Sequence, residues 1–310
     1  MTLKPWPTPH WPEGVPREVS GYEKPVFSLL DETAKKYPNN VYTIFRDGKR
    51  TFAQVKNTAD RVANFLASKG IKKGDRVAIF LPNLPQYPAI YFGILKAGAV
   101  CVTCNPLYTA DELNYQLNDA GAKAVFVMDH PEFYETSLKA IKNTEIETVV
   151  VCNIKSYLPA FKGFLGGLLG KIPKAEQHEP GHLMFDDVVA AARPEPPDVQ
   201  IDPHEDLALI IYTGGTTGVP KGAALKHASF THNVEAVSKW MSFPHEPGAA
   251  PEPLRGGGFH CFLGVLPWYH SFGMTVVMLA SCATASRLIC IPNPRDGDPP
   301  FTGVLEAVQK

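Results

Sequence analysis

Between Arg76 and Cys152 the chain alternates between two kinds of segment, and that alternation restricts its possible folds more than any other feature. Short apolar runs at Arg76 to Leu81, Val100 to Thr103, Ala124 to Met128 and Thr148 to Cys152 read as buried strands. Between them lie segments with helical spacing: Gln86 to Lys96, a stretch from Thr109 to about Ala120, and Glu132 to Asn143. Strands separated by helices of this length are joined by crossovers, so they form βα-alternating units with mainly parallel sheets, an α/β fold. Thr109 and Glu112 have the spacing of a capping box, in which each side chain satisfies a free backbone N–H of the first helical turn. Thr51 and Gln54 repeat the pattern and open a helix through Ser68, which Gly70 stops. Upstream, Val26 to Tyr37 has helical spacing and ends at Pro38, and Val41 to Phe45 with Arg50 to Phe52 frames a hairpin about Asp47-Gly48.

Three segments divide the chain. Residues 1–25 read as an extended, proline-rich arm without the apolar core of a secretory signal. Residues 26–195 read as a first α/β subdomain, and the proline- and acid-rich stretch Arg193 to Pro203 as a connector. Residues 204–310 read as a second, incomplete α/β subdomain. It contains strand-like Leu207 to Tyr212, Ala223 to Leu225, Phe262 to Leu266 and Ser286 to Ile291. Its helices are expected over Ser229 to Met241, Phe272 to Ala283 and Phe301 to Gln309.

A net charge of −1 argues against a nucleic-acid partner. The longest uncharged stretch, Ser271 to Ser286, falls short of the roughly 18 residues of a membrane span and reads as a buried helix. Lys155 to Lys171 is apolar, glycine-rich and free of acids; it fits either an insertion packed on the protein, the favoured reading, or peripheral contact with a membrane surface. The six cysteines read as reduced core residues of a cytoplasmic protein. Cys101 and Cys104 resemble a metal or redox pair, but in a strand positions i and i+3 face opposite sides, so a structural role is favoured.

Chemistry concentrates in Tyr212-Thr-Gly-Gly-Thr-Thr-Gly-Val-Pro-Lys-Gly222, the loop between two strand-like runs. Glycines let successive backbone N–H groups line a concave nest for an anion. Threonine hydroxyls add donors, and Lys221 adds a compact positive charge suited to phosphate. Pro220 before Lys221 and Gly222 after it exclude a Walker A loop. A second segment, Leu266-Pro-Trp-Tyr-His-Ser-Phe-Gly-Met274, places a histidine among aromatics at a strand-to-helix junction. Taken alone, such a histidine packs or caps more often than it acts.

The loop closely resembles the phosphate-binding signature of the AMP-binding, adenylate-forming superfamily, and Tyr269-His270-Ser271-Phe272-Gly273 resembles its second motif. The form Thr-Gly-Gly-Thr-Thr-Gly, with Gly214 where many members carry Ser, looks most like long-chain fatty-acid–CoA ligases; Lys226 departs from the family, which usually has Ser or Thr there. The resemblance implies an acid–thiol ligase that forms an acyl-adenylate from fatty acid and ATP, then a thioester with coenzyme A. It places Thr213, Gly214, Gly215, Thr216, Thr217, Gly218 and Lys221 on the ATP phosphates, with Thr213 as the hydroxyl nearest Mg²⁺. Lys221 and His270 would serve catalysis, and His270, Gly273 and Met274 would border the acyl pocket. The family's later motifs are not found in these residues, so the expectation is an N-terminal portion without the C-terminal domain, poorly competent alone. The alternatives are an adenylate-forming enzyme for aryl or amino acids and a non-catalytic nucleotide- or acyl-binding protein. A homodimer is one assembly open to such a chain.

Overall fold

The computed structural model describes residues 15, 18–20, 23–159, 161, 172, 174–213, 218–241, 260–296 and 299–309. The strands are β1 Val41–Phe45, β2 Gly48–Thr51, β3 Arg76–Phe80, β4 Val100–Thr103, β5 Ala122–Met128, β6 Thr148–Cys152, β7 Leu183–Met184, β8 Leu207–Thr213, β9 Lys221–Lys226, β10 Cys261–Gly264 and β11 Arg287–Cys290. Among the described residues they form a seven-stranded sheet in the order β7-β6-β5-β3-β4-β8-β9 and a four-stranded sheet in the order β10-β11-β1-β2. Pairing is parallel except at the β8–β9 and β1–β2 hairpins. The expected mainly parallel α/β architecture is what the chain adopts.

Both faces of the large sheet are covered, which is why β5 and β6 read as nearly continuous apolar runs. Helices α1 (Ser28–Lys36), α2 (Phe52–Ser68) and α3 (Tyr87–Lys96) pack on one side, where Ile79, Cys101, Phe126 and Leu209 join the larger apolar cluster. Helices α4 (Ala110–Ala120) and α5 (Pro131–Ala140) flank the other, where Val102, Cys104, Val125 and Leu117 meet. Cys101 and Cys104 thus belong to opposite faces, as the strand period requires. Both capping boxes form: the Thr51 and Thr109 side chains each accept the N3 amide, and Gln54 and Glu112 return the bond. Gly70 ends the second helix with φ +81°, a conformation that costs glycine little. Inside the three-helix layer Lys96 of α3 is buried between Asp31 of α1 and Asp60 of α2, and Lys56 closes the network on Asp60 at 2.6 Å.

Three features differ from the sequence reading. The connector 193–203 does not divide the sheets: β8 pairs parallel with β4, and β1 pairs parallel with β11, so each sheet draws strands from both sides of the expected boundary. A proline-rich stretch reports local stiffness, whereas sheet membership is decided by long-range apolar burial. Short elements β7 and α6 (Phe185–Ala191) were not anticipated, because two strand residues and seven helical ones are too few for periodicity to register. Cys261, read as a core residue, is exposed at the start of β10, while the other five cysteines are buried and all six are free thiols.

Farther along, α7 spans His227–Met241 and α9 Thr302–Gln309. The expected helix over Phe272 to Ala283 is wound as a π-helix over Gly273–Leu279 and as α8 over Ala280–Ala283. The wider turns keep Gly273, Met274, Val277 and Met278 all buried. Tyr42 donates to the Met278 carbonyl at 3.0 Å and Thr33 to the Cys282 carbonyl at 3.0 Å, fastening this helix to β1 and α1. No helix among the described residues is long and apolar enough to cross a membrane. Of the apolar stretch 155–171, Lys155–Tyr157 forms a short 3₁₀ turn and Phe161 is exposed, whereas 160 and 162–171 lie outside the described residues.

Candidate functional site

The C-terminal ends of β3, β4 and β8 lie side by side, the edge where open parallel α/β sheets gather ligands. Two segments that carry predicted site residues reach this edge, the β8–β9 hairpin beside β4 and the segment that Thr103 of β4 bonds. One arm is the β8–β9 hairpin. Its strands are antiparallel, with Thr213 opposite Lys221 in register, so the threonine and the lysine mark the two sides of the loop mouth. Both residues are exposed, as is Gly218, whose φ of +129° suits glycine. Gly214, Gly215, Thr216 and Thr217, the remaining residues expected on phosphate, lie outside the described residues.

The other arm is the segment Leu266 to Met274. Trp268 is fully buried and meets Tyr87 edge to face at 5.7 Å between ring centroids. His270 is exposed; its carbonyl accepts the Met274 amide at 3.0 Å. Gly273 is buried against the preceding turn, and a Cβ there would come within 2.2 Å of the Pro267 carbonyl oxygen, so only glycine fits. Met274 is fully buried in the larger apolar cluster.

Side chains that sequence reading did not single out hold both arms. Asn83, three residues past β3 and buried, donates to the carbonyls of Gly264 at 2.8 Å and Leu266 at 2.9 Å and accepts the Trp268 amide at 2.9 Å. Thr103, the last residue of β4, donates its hydroxyl to the Tyr269 carbonyl at 2.9 Å. Gln116 of α4 donates to the Thr103 carbonyl at 2.8 Å. On the hairpin side, Tyr115 donates to the Pro220 carbonyl at 3.1 Å, and Tyr212 donates to Asp119. Burial and the Asp119 carboxylate push the Tyr212 phenol up, so it stays protonated and acts as a donor. A cavity of about 270 Å³ lies between α4 and the hairpin, lined by Tyr108, Asp111, Glu112, Tyr115, Gln116, Tyr212 and Pro220. The only sequence cue to Asn83 is its place in Pro82-Asn83-Leu84-Pro85 just after a strand, and nothing local marks Gln116 or Thr103.

Among the described residues no three His, Cys, Asp or Glu side chains gather to hold a metal ion. Thr213 supplies a single hydroxyl at the loop mouth, which does not make a magnesium site by itself.

Residues 30–310 match the AMP-binding enzyme family. The long-chain-fatty-acid–CoA ligase of Bacillus subtilis is 32% identical over 302 residues, covering 94% of this chain and 50% of that protein. The long-chain-fatty-acid–CoA ligase of Escherichia coli O157:H7 is 33% identical over 293 residues, covering 92% of this chain and 50% of that protein. The chain therefore spans about half the length of these curated relatives. In fold it is similar to the crystal structure of a long-chain-fatty-acid-CoA ligase from Archaeoglobus fulgidus, with a TM-score of 0.71 at 21% identity, covering 97% of this chain and 53% of that one. A match that runs through both sheets and takes in the glycine-rich loop and the histidine segment alike makes this chain a member of the AMP-binding enzyme family.

Proposed function

We propose that this chain provides the ATP-phosphate and acyl-carboxylate sites of an ATP-dependent fatty-acid–CoA ligase. The observation that carries this reading is the meeting of the two arms at one sheet edge: Thr103, in register beside Ile211 of the hairpin strand, bonds the carbonyl next to His270. In the reaction a fatty-acid carboxylate oxygen attacks the ATP α-phosphorus, the bond to the bridging oxygen breaks, and pyrophosphate leaves with acyl-adenylate formed. The thiol of coenzyme A then attacks the acyl carbon and AMP leaves.

Negative charge must be held on the phosphates while the carboxylate approaches. Gly214, Gly215, Thr216, Thr217 and Gly218 supply donors in this reading, and Lys221 supplies the cation that restrains the departing pyrophosphate. Mg²⁺ carried by the nucleotide would supply further neutralisation, and the Thr213 hydroxyl is the group that would contact it in this reading. His270, exposed at the edge, orients the carboxylate; Gly273 lets its turn close, and Met274 backs the acyl wall. A holding role for these groups, rather than a covalent one, fits phosphoryl chemistry, in which positioning and charge stabilisation dominate. The acyl substrate also suits the apolar stretch 155–171 as a point of peripheral contact with a membrane, which co-sedimentation with vesicles would detect.

Two measurements test the reading. The chain should bind ATP and a non-hydrolysable acyl-adenylate mimic, in which an alkyl acid is joined to adenosine through a sulfamate. Lys221→Ala should weaken ATP binding by about 10- to 150-fold, the worth of a charge-assisted hydrogen bond. Fatty-acid-dependent ATP–pyrophosphate exchange should be poor for this chain alone, and whatever exchange is detected across a ladder of chain lengths should peak at one length. A chain that binds neither ATP nor the mimic would sink the proposal. Binding of ATP with preference for an aryl or amino-acid mimic would redirect it to a sister activity.

A further inference from the structure

The two arms are separate in sequence and make no common strand, yet one helix touches the supports of both. The buried face of α4 consists of Leu113, Gln116, Leu117 and Ala120, spaced i, i+3, i+4 and i+7, which seats the helix on the sheet. From that seated face Gln116 bonds the Thr103 carbonyl, and Thr103 passes the contact through its own hydroxyl to Tyr269, beside His270. From the adjoining face Tyr115 and Asp119, one turn apart, reach the hairpin: Tyr115 bonds Pro220, which precedes Lys221, and Asp119 bonds Tyr212, which precedes Thr213. Each stem of the phosphate loop is therefore held next to its functional residue, as is the histidine segment, and all three holds trace to consecutive turns of one rigid element.

We infer that α4 is a positioning element that sets the spacing between the phosphate loop and the carboxylate-binding segment, with Thr103, Gln116 and Tyr115 as its positioning residues. This rests on the ligase reading above. An in-line attack needs the carboxylate oxygen and the α-phosphorus held about 3–3.5 Å apart, and small displacements of either partner cost rate steeply. Two sites that each bind well but are free to drift would supply affinity for the separate substrates without that alignment. A helix bonded to both removes the drift. The bonds of Gln116, Thr103 and Tyr115 go to main-chain carbonyls and so fix backbone position, while the Asp119–Tyr212 bond joins two side chains.

The inference separates from a merely local role by comparing joined and separate ligands. Binding of ATP alone, of a fatty acid alone, and of the joined acyl-sulfamate-adenosine mimic is measured for the full chain and for Thr103→Val, Thr103→Ser and Tyr115→Phe. Valine keeps the shape of threonine and removes only the donor to Tyr269. Serine retains it. Tyr115→Phe removes the donor to Pro220 at a partly exposed position, so it remains informative if Thr103→Val fails to fold.

Thr103→Val and Tyr115→Phe should each weaken the joined mimic about five- to tenfold while changing either separate ligand by less than about twofold. Thr103→Ser should bind the mimic as the unsubstituted chain does. The double variant should lose less than the product of the two single losses, because either break alone frees the spacing. Equal losses for joined and separate ligands, or unchanged binding of the mimic by both variants, would overturn the role of α4. Failure of the unsubstituted chain to bind any of the three would overturn the ligase reading itself and this inference with it.

Discussion

The two arms of the site are held in different ways. The histidine segment is built into the core: Trp268 is fully buried, Asn83 makes two hydrogen bonds to its backbone and a third to Gly264 just before it, and Gly273 closes its turn against Pro267. The outer half of the phosphate-loop hairpin is peripheral. β8 pairs with β4 and buries Leu209 and Ile211, whereas in β9 the residues Lys221 to Ala224 are all exposed, and near the loop mouth the hairpin is tied down by two tyrosine bonds. In the proposed reading, the carboxylate would thus meet a segment fixed by core packing, and the phosphates a hairpin whose outer strand is exposed. The contrast predicts that changes in the first arm cost stability and changes in the second cost binding.

Trp268→Ala should give the largest effect, about 3–5 kcal/mol of folding stability by urea denaturation, since it empties a packed site in the core. A loss below about 1 kcal/mol would break the claim that this arm is part of the core. Acid should come next, acting at the first residue of α7, where the chain leaves the hairpin and re-enters the core. His227 Nδ1 accepts the Val26 amide at 3.1 Å, and burial holds the imidazole down at about 4, with Lys73 adding to the lowering and Asp206 opposing it. The native state therefore resists a proton that the unfolded chain takes up below about 6.5. The contribution is complete above that pH and is lost as pH falls toward 4, amounting to about 3 kcal/mol. His227→Gln should flatten this stretch of the stability–pH curve, and parallel curves for the two proteins would refute the assignment.

Asn83→Ala should cost about 2–3 kcal/mol, because the Gly264 and Leu266 carbonyls and the Trp268 amide lose their buried partner. Asn83→Asp sharpens the test: the carboxylate retains the acceptor for Trp268 but sets negative charge against the two carbonyls, so it should be no better than alanine. The smallest stability effect should come from Lys221→Ala, within about 0.5 kcal/mol of the unsubstituted chain, although it should dominate the loss of ATP affinity. A large drop in melting temperature for Lys221→Ala would erase the distinction between the arms.

Much of the secondary structure could be read from the chain because its determinants are local. The Thr51–Gln54 and Thr109–Glu112 boxes form as expected, as do the stop at Gly70 and the hairpin at Asp47-Gly48. The opposed faces of Cys101 and Cys104 follow from strand parity alone. Lys221, Thr213 and His270 could be put forward as site residues because the loop and the histidine segment are each contiguous in sequence, so the motifs that carry the proposal lie within a few residues. The π winding of Gly273–Leu279 was not readable, since an apolar, uncharged run has the same composition in either helix and its width is chosen by what it packs against.

The sequence by itself determined that strands and helices alternate, where the helices start, and which short stretch forms a glycine-rich turn between two strands, because periodicity, capping and backbone freedom act over a few residues. Only the tertiary structure decided that β8 joins β4 across a connector that looks like a boundary, that β1 crosses to β11, and that Asn83, Thr103 and Gln116 brace a segment more than 150 residues away. Those outcomes depend on which apolar surfaces bury one another, and burial couples residues by distance in space, a quantity that no local pattern in the chain records.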